Sequence, residues 1–111
     1  MTESEVRALV VHQIGDRWDE TNLHGVNLRD SLVPPRRMKF IERFVHKGRV
    51  TDTIVDAWLV LEERPKTCDG YKVIYDDRMN SFGLASPGWD TDQYPSVDGF
   101  YGDFWSAFKA M

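Results

Sequence analysis

Residues Thr53–Glu62, TIVDAWLVLE, put apolar side chains on both sides of an extended chain. Successive side chains of a strand point to opposite faces. Val55, Ala57, Leu59 and Leu61 therefore share one face, and Ile54, Trp58 and Val60 share the other. The run is rich in β-branched and aromatic residues, which suit a pleated surface. A strand that is apolar on both faces needs cover on both, at least in part, so this one is expected at the centre of a sheet.

The flanking sequence supplies its neighbours. Met38–Val45 alternates imperfectly, and the adjacent Phe40 and Ile41 suggest a bulge. His46-Lys47-Gly48-Arg49 reads as the turn into the central strand. Glu63–Gly70, with Pro65 and Asp69-Gly70, reads as a loop. Tyr71, Val73 and Tyr75 then alternate with Lys72 and Ile74 in a third strand, and Asp76–Asn80 turns the chain into a short fourth, Ser81–Ala85. Pro34-Pro35 falls in a polar connector ahead of the first strand.

Helices are expected at both ends. Thr2 and Glu5 have capping-box spacing, which starts a helix at Glu3. Val6, Leu9, Val10, Ile14 and Trp18 recur at steps of three and four and form one apolar face. Gly15 costs that helix about 1 kcal/mol against alanine, so tertiary packing has to hold it, and Asn22 and Gly25 are the expected terminators. At the other end Phe104, Ala107, Phe108 and Met111 share a helical face behind Asp103 as N-cap. The predicted order is α-β-β-β-β-α. Short connections favour neighbouring antiparallel strands, so the expected fold is α+β, a single domain over 1–111. It would be a four-stranded antiparallel meander with the N-terminal and C-terminal helices on one face.

Composition bounds the function. At 41% hydrophobic and 13% aromatic residues the chain is unlike disordered sequences. Cys68 is the sole cysteine and can form no internal disulfide, which fits a reducing cytoplasm. Acids precede the first apolar run, the reverse of a signal peptide, and no apolar stretch approaches the roughly 20 residues that span a bilayer. The expectation is a soluble cytoplasmic protein without membrane contact. The net charge of −4 is uneven: residues 29–49 carry seven basic and two acidic side chains, and residues 50–111 carry five basic and eleven acidic.

Catalytic and metal motifs are absent. His12, His24 and His46 are too far apart in sequence for ligand spacing, and Cys68 lies in a Pro/Asp/Gly loop without the signature of a thiol enzyme. There is no GxSxG, HExxH or phosphate-cradling glycine loop, so neither cofactor nor metal is expected. Adjacent carboxylates such as Asp19-Glu20 and Asp76-Asp77 suit turns, where Asp makes local hydrogen bonds. Glu62-Glu63, ending the central strand, supports an alternative function. A small hydrolase or ligand-binding enzyme could use either carboxylate with His46 or Arg64 in a pocket at that strand end. In the basic segment Arg37, Lys39 and Arg43 share a strand face with Ile41 and Val45. The acidic balance of the whole chain argues against nucleic acid, and a charged face that discourages aggregation accounts for the row.

The segment 86–103 carries the leading functional expectation. Trp89, Tyr94, Phe100 and Tyr101 stand among Asp90, Asp92, Asp98 and Asp103, with no Lys or Arg between them. Rings give contact area at low entropic cost, and carboxylates complement a basic partner. About 16 residues without periodicity form an unusually long loop for a compact domain unless it is functional. Phe100 and Phe104 are expected in the core. Trp89 and Tyr94 are the expected anchors, with Asp90, Asp92 and Asp98 supplying charge. Asp76 and Asp77 extend the patch if their turn lies nearby. The partner is then a basic protein.

The strings Trp58–Pro65, Asp69-Gly70-Tyr71, Phe82–Ala85 and Gly99–Gly102 with Phe104 resemble a group of small uncharacterised bacterial proteins, over roughly residues 30–111. The resemblance implies a bacterial origin and no particular activity. In size, acidity and helix-sheet composition the chain is also similar to toxin-immunity proteins and phage-encoded inhibitors, an analogy of style. The function expected on these grounds is a non-enzymatic interaction module, of immunity or inhibitor type, that captures a basic effector.

Overall fold

A computed structural model describes all 111 residues. Helix α1 (Glu3–Ile14) and a single turn α2 (Leu28–Ser31) precede five strands, and α3 (Phe104–Lys109) follows them. The strands are β1 (Leu32–His46), β2 (Arg49–Glu62), β3 (Lys72–Asp76), β4 (Ser81–Ser86) and β5 (Ser96–Gly102). They close into a barrel in chain order, each neighbour antiparallel except the closing β1–β5 pair, which is parallel at Ile41 and Ser96. An odd number of strands in meander order leaves one parallel pair at closure.

The α+β class and the flanking helices match the expectation, but the open four-stranded sheet does not. The fifth strand comes from Ser96–Gly102, a stretch whose Asp98, Gly99 and Gly102 conceal its extended character. Glycine is needed where β4 meets it, because a Cβ on Gly83 would lie 2.7 Å from the Gly99 carbonyl oxygen. Register shifts at Phe82/Gly83 and Leu84/Ala85 bend the pair, which helps the sheet close.

Closure divides the core in two. Inside the barrel lie Phe40, Val55, Ala57, Ile74 and Ala85, with Val97 and Phe100 packed against them. Outside, Trp58, Val60, Val73, Tyr75, Phe82 and Leu84 of β2–β4 lie under Val6, Val10 and Ile14 of α1 and Phe104 and Phe108 of α3. The central strand is thus covered on both faces, though only over its second half.

Helix α1 opens on the expected capping box. The Thr2 hydroxyl accepts from the Glu5 amide at 3.2 Å, and the Glu5 carboxylate accepts from the Thr2 amide at 2.9 Å. Those bonds hold the Glu5 carboxyl below the usual range. The helix stops at Ile14 rather than near Asn22, because Gly15 turns to φ +63° and caps it onto the Val11 carbonyl. Trp18 still packs on the outer core from the turn that follows. Asp103 caps α3 through the Ser106 amide, as expected.

The prolines belong to β1 and not to a connector. Leu32 pairs with Leu61 and Arg36 with Leu59, so the intervening Val33-Pro34-Pro35 bulges opposite Val60 alone. Proline has no N–H to give the ladder, so this stretch lifts away from β2. At the other end β1 and β2 run on past the barrel. From Glu42 to His46 and from Arg49 to Thr53 the two strands pair only with each other, which forms an arm tipped by Lys47-Gly48. The molecule measures 45 × 29 × 23 Å. No helix is long and apolar enough to cross a membrane.

Candidate functional site

The chain between β4 and β5 folds onto β1, where the Ile41 amide donates to the Pro95 carbonyl at 2.8 Å. Its organiser is Asp92. The carboxylate accepts from the Trp89 amide at 2.6 Å and forms a two-pronged pair with Arg43, at 2.9 and 3.1 Å. Gly88 is required beside it, since a Cβ there would lie 2.3 Å from Asp92 Oδ2. Arg43 also forks onto Asp52, its cross-strand partner, at 2.8 and 2.9 Å. Arg43 hydrogen bonds hold the Asp92 carboxyl below the usual carboxylate range, and Asp92 with Asp52 pushes the guanidinium pKa up.

Above this knot lies Trp89, with the Arg43 guanidinium carbon 3.8 Å from its ring centroid. Arg43 and Asp92 side chains are only 12% and 9% exposed, yet Trp89 remains 60% exposed. The indole is therefore held on one face by a planar cation and open on the other. Tyr94 is half-buried and lines, with Trp89, Asp90, Cys68 and Lys72, a cleft of about 340 Å³. Asp90 is exposed. Asp98 stands on β5 and accepts from the Ser86 hydroxyl at 3.0 Å; partial burial of its carboxyl raises its pKa against that bond.

The structure thus brings Trp89, Asp90, Asp92 and Tyr94 together, with Asp98 on the strand that leaves them. Asp92 is a correction of role, because its carboxylate is consumed by Arg43 and the Trp89 amide and offers little to a partner. Asp76 and Asp77 do not extend the patch. Asp76 pairs with Ser81 at the opposite end of β4 from Ser86, where the aromatic segment starts. It is buried and accepts from the Arg78 amide at 2.9 Å. Burial pushes the Asp77 carboxyl up, but donors from Trp58, the N-terminal ammonium and Arg37 outweigh it and leave the pKa lowered.

Sequence reasoning missed the aliphatic part of this surface. Val45, Val50 and Ile54 are 69%, 52% and 49% exposed. Val45 and Val50 are cross-strand partners, as are Ile41 and Ile54, so all of them share the strand face of Arg43. The signal was present in the alternation that grouped Val45 with Arg43, and what it lacked was the register of β2. That register also neutralises the basic row: Lys39 faces Asp56, Arg43 holds Asp52 and Asp92, and Arg37 holds Asp77.

The carboxylates ending β2 are both engaged. Glu62 is buried in an ion pair with Lys72, whose ammonium also donates to the Cys68 carbonyl at 2.9 Å. Glu62 hydrogen bonding and then burial push the Cys68 thiol up. Glu63 meets His24 at 2.8 Å, rather than His46, and accepts the Tyr71 amide at 3.0 Å. Arg64 pairs with Asp69 at 3.6 Å, and His46 sits at the arm tip opposite Arg49. No cluster of three His, Cys, Asp or Glu side chains has a geometry that could hold a metal ion. Compared with protein-family models, curated proteins and solved structures, the chain matches none.

Proposed function

We propose that this chain is a bacterial protein-interaction module of immunity or inhibitor type, which acts by binding a basic effector and performs no bond chemistry itself. The observation that carries the reading is Trp89, pre-positioned by Arg43 and Asp92 yet 60% exposed. Binding hot spots favour large rings whose freedom is already spent before the partner arrives. Trp89 and Tyr94 are the anchors, and Asp90 and Asp98 supply the charge. Val45, Val50 and Ile54 provide the water-excluding surround. Trp89→Ala with Tyr94→Ala should abolish capture of the partner from the native host while leaving the unfolding midpoint nearly unchanged. Undiminished capture by the double variant would refute the reading.

A second reading is favoured by one observation, the 2.8 Å His24–Glu63 pair beside a recess of about 310 Å³ that includes Arg64 and Tyr71. A histidine oriented by a carboxylate can serve as a general base in a small hydrolase. That reading requires turnover of a chromogenic ester or phosphoester panel that is lost in His24→Gln.

A further inference from the structure

The double-proline bulge of β1 opens a second site, remote in composition from the Trp89 surface. Where Val33-Pro34-Pro35 lifts off the ladder opposite Val60, a groove of about 310 Å³ remains between the bulge and helix α1. Val60 of β2 lies along it, Val10 and Val11 of α1 form one wall, and Trp18 contributes a ring. The Trp18 indole N–H is occupied by the Gly15 carbonyl at 3.0 Å, so the ring offers the groove no donor of its own. Arg7 is the single charged residue in the lining.

Such a groove has the make-up of a small-ligand site. Those are concave and mostly apolar, with a few polar groups that orient the ligand, and volumes start near 300 Å³. The charge on its wall decides which ligand. Arg7 meets only Glu3, at 2.9 Å, in a pair more than half exposed at both ends. Exposed pairs of this kind are weak, so a ligand carboxylate can take Glu3's place. Arg29, whose guanidinium stands 5.7 Å from the Trp18 ring centroid, lies outside the lining and is paired with Asp19 at 3.1 Å, so Arg7 is the cation the groove itself offers. An apolar body with an anionic end is complementary to the apolar lining and to Arg7, whereas a neutral ligand uses only the lining and a cationic one is opposed by Arg7. We infer that the groove between α1 and the Pro34-Pro35 bulge binds a small aliphatic monocarboxylate, with its tail along Val60 and Trp18 and its carboxylate on Arg7.

The test is titration of the ¹⁵N-labelled full chain with octanoate, and separately with octan-1-ol, followed by NMR and calorimetry. Octanoate should bind saturably at millimolar concentration or below and move the Trp18 indole N–H and the Val10, Val11 and Val33 amides. Arg7→Gln should weaken octanoate about tenfold and leave octan-1-ol unchanged, the loss expected for one charge-assisted contact. Val11→Trp, at a rim position that tolerates a larger side chain, should block both. Absence of saturable binding would overturn the proposal and leave the groove as a seat for an apolar side chain of a protein partner. Equal binding of acid and alcohol, indifferent to Arg7→Gln, would overturn the carboxylate assignment.

Discussion

Strand β2 can be compared with itself. Its second half, Val55–Glu62, is buried almost throughout, and its first half, Arg49–Ile54, is exposed at every residue. Both halves hold β-branched side chains that alternate around the strand. Cover separates them, and so does composition, since Arg49, Thr51, Asp52 and Thr53 make the first half mostly polar. The second half has β3 beside it, barrel side chains inside and two helices outside; the first half has only β1. The second half thus builds a core, while the first leaves Val50 and Ile54 exposed on either side of Asp52.

The covered half is where substitutions should cost most. Phe104→Ala removes a ring that packs edge-on to Phe82 at 5.7 Å and stacks with Phe108 over the outer face. Such truncations cost about 3–5 kcal/mol, enough to unfold much of a small domain, and urea denaturation reads the loss directly. Lys72→Met comes next. It strands the buried Glu62 carboxylate at the closed end of β2, and breaking a buried pair from one side costs about 3–5 kcal/mol. Adding Glu62→Leu should restore most of that stability, because neither charge then remains to be satisfied. A double variant as unstable as the single one would show that the pair does more than neutralise itself.

How far these two halves were legible in sequence follows from what each depends on. The capping box at Thr2 and the Asp103 cap are local and match the structure, whereas the two-sided pattern of Thr53–Glu62 holds only in part: Ile54 is exposed, and past the register shift at Leu59/Leu61 the Leu61 side chain joins Trp58 and Val60 in the outer core. Barrel closure was not legible, because it depends on Ser96–Gly102 finding β4 and β1 across long stretches of chain. Its glycines, needed for close approach at Gly83, look like loop residues when read alone. Similarly, the fates of Asp77 and Asp92 were set by partners 19 to 76 positions away, namely the N-terminus, Arg37 and Trp58 for Asp77 and Arg43 for Asp92, while Asp76 is simply enclosed. Trp89 was recognised as an exposed ring by its Asp and Gly neighbours. The cation beneath it was read as part of a different surface.

The knot of Arg43, Asp52 and Asp92 is where the bare half meets the aromatic segment, and pH tests it. The folded-state pKa of Asp92 is lowered, chiefly by Arg43. Its contribution to the folded state is therefore present above the ordinary carboxylate range near 3.9 and is lost as pH falls through the depressed value. Below that point Trp89 should gain mobility, visible as a change in indole fluorescence or its NMR linewidth before global unfolding. Arg43→Lys should produce the same loosening at neutral pH, since an ammonium cannot match the forked geometry or lie flat on the ring. If Trp89 keeps its environment in Arg43→Lys, the indole is held by something other than this knot.

The smallest stability effect belongs to the bare face itself, which gives the comparison its sharpest edge. Val45→Thr, Val50→Thr and Ile54→Thr keep β-branched shape at positions that are about half exposed or more. Each should shift stability by no more than about 0.5 kcal/mol, within the ordinary range for surface changes. Stability would then be the wrong reason for these side chains to be apolar. If the triple variant folds as well as the parent and loses the partner that Trp89 also captures, the arm and the aromatic segment form one surface. If it captures the partner undiminished, Trp89 works with the cleft of Tyr94 and Asp90 alone, and the arm's apolar face serves some other contact. A third outcome would redraw the comparison: a drop in unfolding midpoint of several degrees would mean that the first half of β2 contributes to the core through β1 after all.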